Sequence, residues 1–245
     1  MESSAPPRLR PVDPAYLKGL REHVHDQLRR AIITGELPSG AILNERQMAE
    51  QLGVSTTPLK EALRRLEGEG LVVTEARRGI RITFDAAQAE EMALARAALE
   101  SMIARIAASR IDESGVQRLA AIIEKMIEAT DASATEDLIA LNELFHDAIH
   151  EISRCNYLQR ILVGQRVYVH TARQFILSDP AERLRALREH RAIFDALARH
   201  DSDTAEREMR DHVVRSGRQH VKAAFENRVQ PQAEHAAVSP MMQIR

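Results

Sequence analysis

The sequence predicts a mainly α fold in two parts, a small helix-turn-helix unit with a β-hairpin followed by an all-α antiparallel helical bundle. Three observations carry this. Two short helical patterns meet at a glycine between Gln47 and Ala62, and two β-branched runs flank the Arg77-Arg78-Gly79 link. From about Asp85 to Arg228 the apolar period is helical, and no strand pattern interrupts it.

Residues 1–17, rich in Pro and Ser, read as a flexible lead, and residues 18–83 as the first folded unit. Leu20, Val24, Leu28, Ile32 and Ile33 recur at helical spacing, and Gly35 with Pro38, Ser39 and Gly40 ends that helix in a turn. Met48, Ala49 and Leu52 mark a short second helix up to Gly53, a residue suited to a C-cap. Ser55 offers the N-cap of a third helix with Leu59, Ala62, Leu63 and Leu66 on one face. Pro58 falls in its first turn, where a missing N–H costs nothing. The opposite face carries Thr56, Thr57, Lys60 and Arg64. Small hydroxyls at a helix start with cations behind them suit a helix whose N-terminal end meets base edges while its flank meets phosphates. After Gly68 and Gly70, Leu71 to Thr74 and Ile80 to Thr83 read as a hairpin. Its tip would form a wing, with Arg77 and Arg78 reaching phosphates or the minor groove. Met alone, such an arginine pair reads as a solvated turn; its place behind a helix-turn-helix favours contact.

Residues 84–228 form the bundle. Met92, Leu99, Met102, Ile103 and Ile106 make one stripe, Val116, Leu119, Ile122, Ile123 and Met126 a second, and Leu138, Leu141, Phe145, Ile149 and Ile152 a third. Helices are expected to continue through Tyr157 to Leu177, Arg183 to His200 and Thr204 to Phe225. Breaks are expected at Asp112, Asp131, Asn156, Asp179-Pro180 and Asp201. About six helices with short connections predict an antiparallel bundle. Residues 229–245, with two prolines and no apolar period, read as a loose tail.

At 245 residues and 44% hydrophobic content the chain can bury a sizeable core in one or two domains. No apolar run near 18 residues and no signal-peptide core predict a chain that neither spans nor crosses a membrane. The single Cys155 excludes an intrachain disulfide and suits a reducing cytoplasm. Lys18 to Thr83 holds 11 Lys and Arg against 9 Asp and Glu, and Phe84 to Arg245 holds 21 against 25. So small a basic excess gives no general attraction to nucleic acid, so binding would rest on a local patch doubled by dimerisation.

The chemistry of the bundle lies in its histidines. Asn142, His146 and His150 share one helix face, and His190 and His212 sit beside apolar stripes of two later helices. Taken singly, each reads as an ordinary core or surface histidine. Imidazoles entering one core from three helices can instead hold a transition metal with open positions for a small ligand. Arg96 and Arg173 are candidates to clamp a carboxylate, each against the alternative of a structural ion pair, and Tyr168 is a weaker one. His170 and His200 read as solvated.

Residues Leu20 to Thr83, with ITGELPSG, LNERQMAEQLGVSTTPLKEALRRLEGEGLV and RRGIRIT, resemble the N-terminal domain of the GntR superfamily of bacterial transcription regulators. The resemblance implies a winged helix-turn-helix in which Arg46, Thr56, Thr57, Lys60 and Gly79 occupy positions that meet operator DNA. Thr56 and Lys60 stand where the family usually has Arg, which pairs bidentately with guanine or phosphate, so the family's usual operator is not carried over. Phe84 to Phe225 resembles the FCD effector domain of the FadR-type subgroup through ARAALE, NELFH, EHRAIFDAL and MRDHV. In many such domains an Asp and three His bind a divalent metal, and these map onto Asn142, His146, His190 and His212. Asn142 is the departure: an amide oxygen can coordinate but gives up the carboxylate charge. That leaves two alternatives, a weaker site for zinc, nickel or manganese, or histidines that bind an acidic effector directly as donors.

The resemblance therefore implies a homodimeric, cytoplasmic regulator, most often a repressor in this family, that binds a palindromic operator and responds to a small organic acid. A metal sensor, with the ion itself as signal, is one alternative. An enzyme is the other, with metal-activated water or His146 beside Glu143 or Asp147. No nucleophile motif, phosphate loop or cofactor fingerprint accompanies them, which weighs against catalysis.

Overall fold

The computed structural model describes residues 14–76, 78–163, 173, 176–222 and 225. They divide into two compact units that meet in sequence at Phe84 and Asp85. The first holds α1 (Pro14–Ile33), β1 (Ile42–Leu43), α2 (Glu45–Gln51), α3 (Thr56–Gly68), β2 (Val72–Glu75) and β3 (Gly79–Ile82). The second holds α4 (Ala86–Arg110), α5 (Glu113–Asp131), α6 (Thr135–Ser153), α7 (Asn156–Val163), α8 (Pro180–Ala198) and α9 (Ser202–Val221).

In the first unit, α1 begins at Pro14, inside the expected lead, because proline's fixed φ suits a helix's first turn. Its buried apolar positions are Val24, Leu28, Ile32 and Ile33, while Leu20, expected on that stripe, is exposed. They join Leu59, Leu63 and Leu66 of α3 with Leu71, Ile82 and Phe84 in one core. The sheet has three strands in the order β1-β3-β2, both pairings antiparallel. The expected hairpin is present, with Val72 opposite Ile82 and Glu75 opposite Gly79. The third strand, β1, was not expected, since two residues between a Pro-Ser-Gly turn and a helix cap have no readable period. Gly79 has φ +103, and a Cβ there would meet the Leu43 carbonyl oxygen at 3.2 Å, so β1 can lie this close only beside glycine.

In the second unit, three of the expected Asp breaks act as caps, as does Asp85, whereas Asp131 is the last residue of α5 and caps nothing. Asp85, Asp112, Asp179 and Asp201 each accept a hydrogen bond from a first-turn N–H of the following helix. The core joins Ile103, Ala104 and Ala107 of α4, Leu119 and Met126 of α5, Phe145 and Ile149 of α6, Ile193 and Leu197 of α8, and Met209 and Val213 of α9. The buried face of α4 is mostly alanine, and a Cβ on Gly217 of α9 would lie 2.5 Å from the Ala93 Cβ. Small residues on both sides thus set α4 and α9 close together, which brings Arg96 and Glu100 near the site that α9 helps to build. Arg77, Tyr168, His170, the expected lead up to residue 13 and the tail from 229 lie outside the described residues.

Candidate DNA interface and buried histidine site

The sequence sets α3 with its apolar face inward. Pro58, Leu59, Ala62, Leu63 and Leu66 are buried, and Thr56, Thr57, Lys60 and Arg64 are exposed. Ser55 holds the N-cap position, yet its hydroxyl makes no cap hydrogen bond. The first N–H groups of α3 therefore keep their capacity to donate, as a phosphate at a helix start requires. At α2, by contrast, Asn44 accepts from the N–H groups of Arg46 and Gln47 at 3.0 and 3.1 Å, and the Arg46 side chain is exposed. Lys60 Nζ lies 3.6 Å from Glu45 Oε2, an exposed pair too weak to hold it from another anion. At the hairpin, Arg78 and Gly79 are exposed, whereas Arg81 is held by Glu75 at 2.5 Å.

In the bundle, α6, α8 and α9 bring His146, His190 and His212 together, all buried. Ring centroids are 5.7 Å apart for His146 and His190, 5.5 Å for His146 and His212, and 4.6 Å for His190 and His212. One ligand nitrogen from each lies within 4.8 Å of the other two. Two of the rings have Nδ1 turned to a carboxylate: that of His212 meets Glu189 Oε2 at 2.8 Å, and that of His146 lies 2.7 Å from Glu100 Oε2 in poor hydrogen-bond geometry. Among the described residues both ring nitrogens of His146 are buried without a hydrogen bond, so either is open to a further partner. His150, on the same helix face, is not among the three that converge.

Burial pushes the His146 imidazole down to about 3, against the pull of Glu100. Burial, then the neighbouring His212 and His146, holds His190 well below its usual value, and burial lowers His212 in spite of Glu189. Neutral imidazoles with Nδ1–H committed to carboxylates or carbonyls are the form that binds a metal, and the outer partners fix their orientation. The donor set thus fits a divalent cation.

Both arginines are buried. Arg96 Nε bonds Glu100 Oε1 at 2.6 Å one helical turn on, so the ion-pair reading of Arg96 describes its contact. Burial would raise the Glu100 carboxyl, but Arg96 and then His146 hold it well below the usual range. Arg173 reaches Asn142. A guanidinium only donates, so the amide oxygen faces it, accepting from Nη2 at 3.0 Å and Nη1 at 3.1 Å, and the Asn142 NH2 donates to His190 Nε2 at 2.9 Å. The oxygen expected as a metal ligand is therefore turned to Arg173 instead. Burial and then the like charge of Arg96 disfavour the charged Arg173. A cavity of about 10 Å³, room for about one water, lies beside Asn142 and His190 and is lined also by Leu138, Thr130 and Arg183.

Two carboxylates escaped the sequence reading. Glu100 followed Arg96 at i,i+4 and so carried a signal of pairing. Glu189 adjoins His190 in sequence but serves His212 and Arg215 across helices, which no local pattern shows. His220, also buried, is pushed down to about 4 by burial and then by Arg96.

These shifts have a fixed sign. The histidines have folded values below the usual 6.5, so their stabilising contribution is intact above about 6.5 and is lost as pH falls from there. Burial would raise Glu189, but His212 and Arg215 lower it to about 2, which adds a further loss below 4.5. For metal-free protein, stability is expected to fall below about pH 6.5, approaching about 1.4 kcal/mol per pH unit for each neutral buried histidine by pH 5. A flat melting profile across that range would contradict neutral burial.

A helix-turn-helix with an exposed cationic flank, followed in sequence by a helical unit, is the arrangement of a DNA-reading regulator. Residues 20–82 match the family described as bacterial regulatory proteins, gntR family, and residues 91–215 match the FCD domain. The HTH-type transcriptional regulator YdhC of Bacillus subtilis (strain 168) is 31% identical over 194 residues, covering 77% of this chain and 85% of YdhC. The HTH-type transcriptional repressor RspR of Escherichia coli (strain K12) is 29% identical over 197 residues, covering 79% and 86%. The solved structure of Escherichia coli McbR/YncC shares the fold with a TM-score of 0.58 at 24% identity, covering 85% of this chain and 98% of that one. The chain belongs to the GntR family, with an FCD domain as its second unit, and is a DNA-binding transcription regulator. No described helix is long and apolar enough to cross a membrane.

Proposed function

We propose that the protein is a cytoplasmic, homodimeric repressor whose hold on a palindromic operator is released by a small carboxylate. The acid enters the helical unit beside a divalent cation held by His146, His190 and His212. The carrying observation is the set of three buried imidazoles, one nitrogen of each within 4.8 Å of the others. Bound there, a cation supplies positive charge for a carboxylate, and Arg173 supplies a second anchor. The repressor assignment draws on RspR, which is named as one. One chain offers one recognition helix, so a two-fold pair is what a palindrome requires. Release is a population shift, no larger than the effector's differential affinity for the two states of the dimer.

The small room beside His190, about 10 Å³, supports a second reading in which the ion itself is the signal. Fluorescence anisotropy of operator DNA, selected from random sequence by the protein itself, separates the two. Chelated protein is given zinc alone, or zinc with a panel of small organic acids. Release only by an acid with zinc is expected; release by zinc alone supports the second reading, and acid-driven release that ignores chelation contradicts both.

A further inference from the structure

Asn142 lies between the two halves of the buried site. Its oxygen accepts from Arg173, and its NH2 donates to the Nε2 through which His190 would join His146 and His212 around an ion. A carboxylate at this position has one oxygen for Arg173 and another for the ion. An amide has only one oxygen, and its nitrogen here occupies the His190 lone pair.

We propose that the Asn142 amide couples two ligands, so that a divalent cation on the histidines and a carboxylate on Arg173 bind together more tightly than either alone. As described, the amide holds Arg173 and caps His190. To free the His190 lone pair it must turn over, and its NH2 then faces a guanidinium that has only donors to offer. Arg173, buried, loses that oxygen, is left with the longer ion contact to Glu143 Oε1 at 3.8 Å, and takes the two oxygens of an incoming carboxylate. An incoming carboxylate that takes Arg173 likewise releases the amide oxygen, lets the amide turn, and uncovers His190. By linkage the factor by which each ligand tightens the other is the same in both directions. The inference rests on the reading that the three histidines take a metal.

The test is zinc affinity, measured by competition with a chromophoric chelator at matched free zinc, with and without acetate, for wild type and Asn142→Asp. In wild type, acetate is expected to tighten zinc about tenfold, within the usual range of coupling factors. In Asn142→Asp, zinc binds more tightly without acetate, and acetate changes it by less than about twofold, because the new carboxylate serves both partners at once. An acetate effect as large in Asn142→Asp as in wild type would show that coupling runs through the ion and not the amide, overturning the proposal. So would zinc binding in wild type that ignores acetate. If wild type binds no zinc in either condition, the metal reading itself fails, and this inference with it.

Discussion

Lys60→Ala and Arg78→Ala are each expected to weaken operator binding while leaving the fold and the dimer intact. Both side chains are exposed, and among the described residues neither is braced by a strong internal partner: Lys60 meets Glu45 at 3.6 Å, with side chains 62% and 37% exposed. If each meets one phosphate per protomer, a dimer loses two contacts per substitution, and the slope of log affinity against log salt shrinks by about 1.8. Near 0.15 M salt that is roughly fivefold in affinity per contact, so about 25-fold for the pair. The loss should be uniform across operator variants, because a phosphate contact carries no sequence information. Thr56→Ala and Thr57→Ala, at the helix start, are where sequence preference should change instead. Unchanged affinity and slope in both charge variants would remove α3 and the wing together from the DNA interface.

The first unit was legible because its signals are local. Apolar spacing, Gly53, Pro58 and the Arg-Gly hairpin link each fix one element with little help from the rest of the chain. What escaped was short or unpatterned: β1 has two residues, and Pro14 to Lys18 has no apolar period from which to read a helix. In the bundle, the Asp caps marked helix starts well. The convergence of His146, His190 and His212 followed from resemblance more than from spacing, since three separated helices have no mutual register in sequence. The hydrogen-bond state of Asn142 was illegible for the same reason. It depends on Arg173, 31 positions on, presenting donors to an amide that then must turn its nitrogen to His190.

His190→Ala is expected to have the larger effect on the helical unit. His190 stands closest to His212, stacks edge-on against Phe145 with centroids 5.0 Å apart, and receives the Asn142 amide, so its removal takes one nitrogen from the cluster and strands that donor. Metal affinity should fall by tenfold or more, the scale on which even outer partners of metal ligands act. A ligand that binds only folded protein at 100 times its dissociation constant adds about 2.7 kcal/mol. In a protein of this size that raises the melting temperature by about 5–10 °C.

The most direct measurement is thermal melting of chelated wild type and His190→Ala, with and without zinc, nickel or manganese. The account predicts that at least one ion raises the wild-type melting temperature by about 5–10 °C, and that the same ion at the same concentration moves His190→Ala by no more than about half as much. A wild type whose melting ignores every ion, or a His190→Ala variant that responds as fully as wild type, would contradict a metal site built on His146, His190 and His212.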